Sequence, residues 1–297
     1  MRLKATLALI LANVIWGAAS PLFKWSLENI PPFTLAFLRF SLASFLLLPF
    51  ISKDIFRLKR TDMPQIILFA LSGITINITF FFWGLKLAPS VNAAFISTTQ
   101  PLILLLLGAF LLQEKVEPHE VFGTIVSFTG VLLIILIPLM TSGLQGETVV
   151  LGNLFFVLAT LGAVGQAYFG KKLFATNKSL PITFWSFTIG ALTFLPFFLW
   201  EQTTNPSWVT ELGTPGIVGI FYGAILSSAL AYSFYDWGLS KIEASETGIF
   251  SYLIPITSVL VAVFFFGEKL SLQFGIAAFL IILGITVAQI RLHKKIN

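Results

Sequence analysis

Long apolar stretches, separated by short polar breaks, follow one another along almost the whole chain. Ten of them can be drawn, at residues 5–25, 33–51, 65–88, 91–112, 121–139, 152–170, 182–200, 216–239, 246–266 and 273–290. Their lengths are close to the roughly 20 residues with which a helix crosses a bilayer core about 30 Å thick. The pattern therefore predicts an all-α integral membrane protein with ten transmembrane helices joined by short loops.

Helix-ending residues occupy the breaks. Pro31 and Pro32 divide the first two stretches, Pro89 divides the third from the fourth, and Gly267 follows the ninth. Proline cannot donate the backbone hydrogen bond that a continuing helix needs, and glycine readily adopts the conformation that ends one. We therefore place the helix ends at these breaks.

The composition agrees with a membrane protein. Hydrophobic residues make up 57% of the chain and charged residues 10%, whereas soluble domains contain about 25% charged residues. The mean hydropathy is +0.93. The first apolar run is longer than the core of a signal peptide and lacks a small-residue cleavage site, so we interpret it as the first span. The absence of cysteine excludes disulfides, cysteine catalysis and cysteine metal ligands.

The positions of lysine and arginine predict the orientation of the chain. With the N-terminus in the cytoplasm, fourteen of the eighteen fall in cytoplasmic loops or tails, and such loops carry an excess of positive charge. Only Lys86 and Lys269 then face outward, while Lys24 and Arg39 lie within or at the edge of spans. We predict a multi-pass protein of the plasma (inner) membrane with both termini in the cytoplasm. The net charge of +5 favours contact with anionic lipid headgroups and is too dispersed for a nucleic-acid surface.

One sequence frame occurs twice. The stretch at 83–101 reads WGLKLAPSVNAAFISTTQP, and the stretch at 237–255 reads WGLSKIEASETGIFSYLIP, at an offset of 154 residues. In the same register Gly130 meets Gly284, and a weaker match at an offset of 147 joins the first and sixth spans. With five spans in each half, the second half enters the membrane from the other side, and inverted repeats follow. We divide the chain into a first repeat at 1–140, an outer linker at 141–151 and a second repeat at 152–297.

Four stretches carry a resemblance to a known family. They are WGAASPLFK in the first span, FTLAFLRF in the second, and the two copies of the repeated frame, extended to Glu114-Lys115 and to Glu268-Lys269. With them the chain resembles EamA-type members of the drug/metabolite transporter superfamily over nearly its whole length. The resemblance implies ten helices in two inverted five-helix repeats. It also implies export or exchange of small metabolites, with amino acids among the cargoes.

Two prolines lie near the middle of their spans, at repeat-related positions. Pro101 and Pro255 each come about ten residues into a span, or about 15 Å deep. Proline displaces the carbonyl four residues earlier, which belongs to Ser97 in one copy and to Ser251 in the other. Exposed carbonyls and hydroxyls at this depth need protein or a wet cavity around them. We predict helix breaks that line a central substrate site, and a packing kink is the alternative.

Further polar side chains fall at a similar depth on six spans. Such groups are costly in hydrocarbon unless they are paired, and convergence on one cavity would pair them. Ordinary hydrogen bonds between helices are the alternative for each residue taken singly. The residues at this depth are Asn13, Trp16, Asn77, Gln100, Gln166, Tyr168, Ser228 and Tyr252, with Thr98 and Ser227 beside them. Together with Ser97, Ser251 and Arg39, which lies nearer the outer end of the second span, the first eight are the predicted substrate-binding residues.

Arg39 is the permanent charge that lies most clearly within a span. It could meet a substrate carboxylate, or an acid at an outer gate such as Glu28, Glu201 or Glu268. The structural alternatives are that its side chain extends outward to water or braces the packing of helices.

Asp236 stands where the first repeat has Phe82. It could couple transport to protons, or it could be an interfacial acid beside Lys241. No acidic residue falls at the centre of any predicted span. The sequence therefore gives poor support for proton coupling and leaves exchange or facilitated transport open.

These features favour a secondary transporter that moves small metabolites, amino-acid-like or related polar and amphipathic compounds, by alternating access around a midplane site. Export is the expected direction, and an uptake carrier or a flippase for lipid-linked cargo is the alternative. An intramembrane enzyme would need a nucleophile with a base, a metal cluster or paired carboxylates at depth, whereas His119 and His293 lie in a loop and in the tail. We expect no cofactor or metal. The expected partners are the bilayer and a small-molecule substrate, with nucleic acid excluded and a homodimer left open.

Overall fold

The chain folds as a bundle of helices. The computed structural model describes residues 2–51, 58–112, 116–239 and 248–289, and within these ranges it contains no strand. Eight of its helices are long and apolar enough to cross a membrane, and two further apolar helices are shorter. The predicted all-α membrane architecture is confirmed at this level. Helices suit lipid because they satisfy their backbone hydrogen bonds internally.

The first four spans begin or end at the predicted breaks. Pro32 starts α2, and Pro89 stands directly before α4. Proline fits the first turn of a helix because the N–H it lacks would have no partner there. The spans are α1 at Arg2–Ser26, α2 at Pro32–Ile51, α3 at Arg60–Leu87, and α4 in two parts at Ser90–Ser97 and Gln100–Leu112.

A helical hairpin follows. Helical backbone runs over Pro118–Thr176, 59 residues, which as a straight rod would measure about 88 Å. The chain instead folds back on itself. This is shown by the hydrogen bond that the Asn153 amide donates to the Ile134 carbonyl at 2.9 Å, although 19 residues separate the two along the chain. The two antiparallel arms are α5 at Pro118–Leu139 and α6 at Gly146–Thr176. Each arm has the length of one membrane crossing.

The remaining helices lie between 179 and 288. Gly267 ends α9 with a φ of 66°, the left-handed conformation that glycine adopts without strain. Ser271 caps α10 by accepting a hydrogen bond from the Phe274 N–H at 3.1 Å. The elements are α7 at Ser179–Thr204, a short turn at Trp208–Glu211, α8 in three consecutive segments at Thr214–Phe221, Tyr222–Leu230 and Ala231–Leu239, α9 at Leu253–Phe266, and α10 at Leu272–Ala288.

Helices from the two parts of the chain pack against each other throughout. α2 packs on α7, α5 on α10, α1 on α8 and α9, and α6 on α3 and α4. Stacked rings carry much of the α2–α7 contact, with the Phe37 and Phe198 rings 4.5 Å apart. Phenylalanine also fills the centre of the bundle, where the largest fully buried side chains are Phe23, Phe40, Phe82, Phe156, Phe187 and Phe194.

The contact between α5 and α10 depends on small residues. A Cβ at Gly130 would lie 2.6 Å from the Ala277 carbonyl oxygen, which is closer than van der Waals contact. Gly284, which the repeat register pairs with Gly130, likewise touches the α5 backbone at Ser127. Small residues let helix backbones approach closely within a membrane. Close packing therefore explains why both copies of the frame place glycine here.

On the face where α1 ends, two glutamates hold the starts of earlier helices. The Glu201 carboxylate accepts hydrogen bonds from the Phe33 N–H at 3.1 Å and from the Thr34 N–H at 2.6 Å. Glu268 accepts hydrogen bonds from the Ser90 N–H at 3.1 Å and from the Ser90 hydroxyl at 2.5 Å. Helix starts carry unpaired N–H groups and partial positive charge, which a carboxylate compensates. The two acids therefore tie α7 to α2, and the end of α9 to α4.

Candidate substrate site

Two spans contain π-helical turns at related positions. The turns cover Leu71–Ile76 in α3 and Tyr222–Leu230 in α8. At the offset of 154 that relates the repeated frames, 71–76 falls on 225–230, inside the α8 segment. Such turns are rare in helices and are frequent at functional sites, because they redirect backbone and side chains. The apolar pattern could not predict them, since both helices stay apolar through the turn.

Arg39 of α2 lies against the π-helical segment of α8. Its side chain is 3% exposed. Its Nε donates to the Ser228 hydroxyl at 2.9 Å and to the Gly223 carbonyl at 3.2 Å, and its Nη2 donates to the Ser227 hydroxyl at 3.1 Å. Among the side chains that the structure describes, no carboxylate lies within ion-pair distance of Arg39. The possible pairing with an acid at an outer gate, Glu28, Glu201 or Glu268, is therefore not observed.

The Arg39 side chain points into the bundle. Its guanidinium carbon lies over the Phe23 ring at 4.7 Å and over the Phe40 ring at 4.8 Å, positions that give cation–π attraction. Its partner Ser227 comes thirteen residues after Thr214, the start of α8, which is about 20 Å along the helix. Arg39 is thus directed towards the middle of the membrane and does not extend to the near surface.

Trp16 of α1 reaches the same segment of α8. Its indole N–H donates to the Ser227 carbonyl at 3.0 Å, and its ring lies 5.2 Å from that of Tyr232 and 5.0 Å from that of Tyr235. Ser227 is therefore a shared partner of Trp16 and Arg39. We call Trp16, Arg39, Ser227 and Ser228 the arginine cluster.

Three amides lie around the related segment of α3. The Asn77 amide donates to the Ala159 carbonyl at 2.7 Å, and the Gln100 amide donates to the Ala163 carbonyl at 3.2 Å. The Gln166 side chain lies directly against Gly73, where a Cβ would overlap it. These residues bring α3, α4 and α6 together. We call Asn77, Gln100 and Gln166 the amide cluster.

Three of the predicted site residues lie outside both clusters. Two form hydrogen bonds within their own helices, and the third is exposed. Asn13 donates to the Leu9 carbonyl at 2.8 Å, and Ser97 donates to the Ala94 carbonyl at 2.9 Å. Tyr168 is 49% exposed on α6. The structure therefore does not gather every predicted side chain at one point.

The region before α9 holds two more. The Tyr252 hydroxyl donates to the Gln289 side chain at 3.0 Å, which links α9 to the end of α10. Ser251 is half-buried in the helical turn that precedes α9. Asp236 belongs to the last segment of α8, and its side chain lies outside the described residues.

Both midplane prolines follow a change in helix geometry. α4 is interrupted at Thr98 and Thr99, just before Pro101. A 3₁₀ turn at Gly248–Tyr252 comes just before Pro255. In both copies the carbonyl of the residue four positions before the proline lies beside an irregular turn, as expected from the steric demand of the proline ring.

A pair of asparagines near the α5–α6 hairpin was not predicted from the sequence. The Asn92 amide donates to the Asn153 side-chain oxygen at 2.8 Å, and both residues are buried. Asn153 in turn reaches the Ile134 carbonyl. This chain of hydrogen bonds braces α4, α5 and α6, and only knowledge of the hairpin would have brought its members together. Within the described residues, no group of three or more His, Asp or Glu side chains is placed to hold a metal ion.

Comparison with known proteins assigns the family. The model of the EamA-like transporter family matches residues 3–136 and again residues 150–289. The chain belongs to this family. The EamA-like chain is thus a multi-pass membrane protein of a transporter family, as its sequence motifs indicated.

Curated relatives of this EamA-like protein match it over most of its length. An uncharacterized transporter of Archaeoglobus fulgidus is 26% identical over 99% of this chain and 100% of its own. A probable amino-acid metabolite efflux pump of Escherichia coli is 26% identical over 97% and 96%. An S-adenosylmethionine uptake transporter of Rickettsia felis is 26% identical over 87% and 83%. The names of these relatives agree on transport and differ on its direction.

A solved crystal structure shows the same fold. It superposes with a TM-score of 0.66 at 23% sequence identity, covering 97% of this chain and 98% of the other. At that identity the likeness extends to the fold alone.

Proposed function

We propose that this EamA-like protein is a secondary transporter that exports small metabolites, amino-acid-like or related polar and amphipathic compounds. It does so by alternating access around a midplane site between the π-helical segments of α3 and α8. The observation that carries the proposal is the placement of those two segments at repeat-related positions, each with its own polar cluster. Carriers of this kind bind substrate at irregular helices between two repeats.

Helix contacts support an arrangement of ten spans in two inverted five-helix repeats. If α1–α5 correspond in order to α6–α10, exchanging the halves turns the α1–α8 contact into the α6–α3 contact, and α1–α9 into α6–α4. The α2–α7 and α5–α10 contacts map onto themselves. All of these contacts occur. The proposed division remains a first repeat at 1–140, a linker at 141–151 and a second repeat at 152–297.

The arginine cluster and the amide cluster form the proposed binding residues. Arg39 supplies positive charge, and Trp16 supplies an aromatic face beside it. Gln166 and Gln100 supply amide groups on the α3 side. Asn13, Ser97, Tyr168, Ser251 and Tyr252 are retained as candidates that rearrangement of the helices would have to bring to the site. Pro101 and Pro255 keep the adjoining helices irregular.

The carboxylate caps fit a carrier that is held together at one face. Glu201 and Glu268 join α7 and α9 to the starts of α2 and α4 on the face where α1 ends. Alternating access requires such cross-repeat contacts to break when that face opens. We assign this face to the outside, because the loops on the other face carry most of the lysine and arginine. Both termini are then cytoplasmic, in the plasma membrane.

Two alternatives rest on specific observations. Uptake is favoured by the Rickettsia felis relative, which is named as an uptake transporter. Lipid-linked cargo is favoured by an apolar crevice of about 410 Å³ between α4 and α5, lined by Leu106, Val121, Phe128 and Leu132 among others. Such a crevice can take an acyl chain from the bilayer.

Thermal stabilisation followed by counterflow tests the proposal. A ligand that binds the native state raises the melting temperature of the purified protein, so amino acids, nucleosides and small cationic drugs are screened first. Compounds that stabilise are then assayed in proteoliposomes. We expect one class to stabilise and to show uptake that is accelerated by unlabelled compound inside. Failure of all three classes would remove the metabolite carrier and favour lipid-linked cargo.

A further inference from the structure

The Arg39 guanidinium has hydrogen-bond partners along one edge and aromatic rings beside it. Its Nε and Nη2 atoms form one edge, and both donate to α8 at Gly223, Ser227 and Ser228. The rings of Phe23 and Phe40 both contact it, with their centres within 4.8 Å of the guanidinium carbon.

The free edge is the terminal one, which adjoins the first and consists of one N–H from Nη1 and one from Nη2. A guanidinium has five N–H groups, and the hydrogen bonds to α8 use one on Nε and one on Nη2. The remaining three have no acceptor among the residues that the structure describes. Two of these three are parallel and point away from the side chain, in the geometry that meets both oxygens of a carboxylate.

The surroundings of this edge strongly favour the binding of an anion. Arg39 is 3% exposed, and its partners on α8 are two hydroxyls and one carbonyl, none of which carries a charge. A buried cation without a countercharge is costly, and in a membrane protein it marks a functional position. A carboxylate would supply both the missing charge and the missing acceptors.

The geometry points to an organic monocarboxylate as the cargo, bound through its carboxylate to the free edge of Arg39. This inference rests on the proposed function and narrows its substrate class. The single guanidinium matches one negative charge, so a monoanionic group is favoured over a dianionic phosphate.

The related segment of α3 explains why the site would recognise only one end of the cargo. There the contacts come from uncharged residues, with Gln166 against Gly73 and Gly190 against Ile74. An amide can donate to or accept from a neutral group but cannot balance a second carboxylate. The rings of Trp16 and Tyr232, 5.2 Å apart, lie beside the arginine and suit an apolar body attached to the acid.

Matched pairs of acids and amides test the inference. Indole-3-acetate is compared with indole-3-acetamide, and benzoate with benzamide, by measuring the melting temperature of the purified full-length protein against concentration. Each amide keeps the apolar body but loses the charge and one acceptor oxygen. The wild-type protein should bind the acid about 100-fold more tightly, which is the order expected when one charge-assisted hydrogen bond is lost and the other loses its charge.

Three variants locate the effect. Arg39→Gln should abolish the preference for acid over amide, and Arg39→Lys should reduce it, because lysine keeps the charge but loses the two-donor edge. Ser228→Ala leaves the guanidinium in place with one fewer anchor, so it keeps the experiment decisive if the Arg39 variants do not fold; it should reduce the preference less. Lys86→Gln removes an exposed charge outside both clusters and should leave the preference unchanged.

The outcomes separate the substrate class from the transport function. Equal binding of acid and amide by the wild type overturns the carboxylate inference, as does an acid preference that survives in both Arg39→Gln and Ser228→Ala. If neutral or cationic compounds show counterflow at the same time, the transporter stands without its carboxylate site. If no compound of any class stabilises the protein or shows counterflow, the proposed function itself fails.

Discussion

The π-helical segments of α3 and α8 occupy the same place in the two halves of the chain but differ in chemistry. At the offset of 154 residues, Gly223 stands opposite Phe69, and Ser227 opposite Gly73. The α8 segment meets an arginine and an indole through its hydroxyls and carbonyls. The α3 segment meets amides and glycines of its neighbours. A common frame therefore carries one charged and one neutral cluster, which a symmetric cargo would not need.

Bulk added against the α3 segment, the neutral side, should reduce the stability of the protein most. A Cβ at Gly162 of α6 would lie 2.7 Å from the Ser72 carbonyl oxygen of α3. Because the obstacle is backbone, Gly162→Leu should lower the free energy of unfolding by about 3 kcal/mol or prevent folding. Thermal unfolding measures the change. Gly275→Leu is the matched control, since open space surrounds that position, and equal losses in both variants would contradict the close approach of α6 to α3.

On the charged side, substitution of Arg39 should reduce transport more than stability. Arg39→Gln removes the charge and most of the contacts with Ser227 and Ser228, and we expect transport to fall by about 100-fold. The loss of stability should stay near 2 kcal/mol, because the groups left behind are neutral hydroxyls and a carbonyl. Initial rates in proteoliposomes, normalised to folded protein, measure the first effect. If transport falls only in proportion to the amount of folded protein, Arg39 stabilises helix packing and does not bind substrate.

Within the amide cluster, Gln100→Ala should impair transport more than folding. The one hydrogen bond that it makes to the described residues, to the Ala163 carbonyl, is 3.2 Å long, so its removal should cost about 1 kcal/mol or less. The melting temperature and the initial rate are compared in the same preparation. A normal rate would remove Gln100 from the proposed site.

Tyr252→Phe should give the smallest effect. The substitution deletes only the hydroxyl that reaches Gln289, at a cost in stability of about 1 kcal/mol or less. We expect a several-fold reduction in transport, because this bond lies beside the irregular turn before Pro255. Normal flux in both Tyr252→Phe and Gln100→Ala would contradict the proposed site as a whole.

The apolar pattern predicted the individual spans well where proline or a polar break ends them. α2 was expected at 33–51 and occupies Pro32–Ile51, and α7 was expected at 182–200 and occupies Ser179–Thr204. The hairpin was harder to delimit, because helical backbone continues through the turn between α5 and α6. Hydropathy shows where apolar residues give way to polar ones, but it does not show where a helical chain reverses its direction.

The contacts within the clusters could be predicted only in part. Arg39, Trp16 and Gln166 stood out because polar groups in a span need partners. That Ser227 joins Arg39 to Trp16 depends on a π-helical turn, which shifts the register by one residue and leaves composition unchanged. The capping of α2 by Glu201, 167 residues away, depends likewise on packing that no local pattern encodes.

Distance measurements on the two faces test alternating access most directly. The chain contains no cysteine, so spin labels can be attached to Lys4→Cys with Lys178→Cys on one face and to Lys86→Cys with Lys269→Cys on the other, all exposed positions. We predict that a compound active in counterflow lengthens one distance while it shortens the other. Distances that both stay constant, or that change together, in the presence of such a compound would contradict a carrier that opens its two faces in turn.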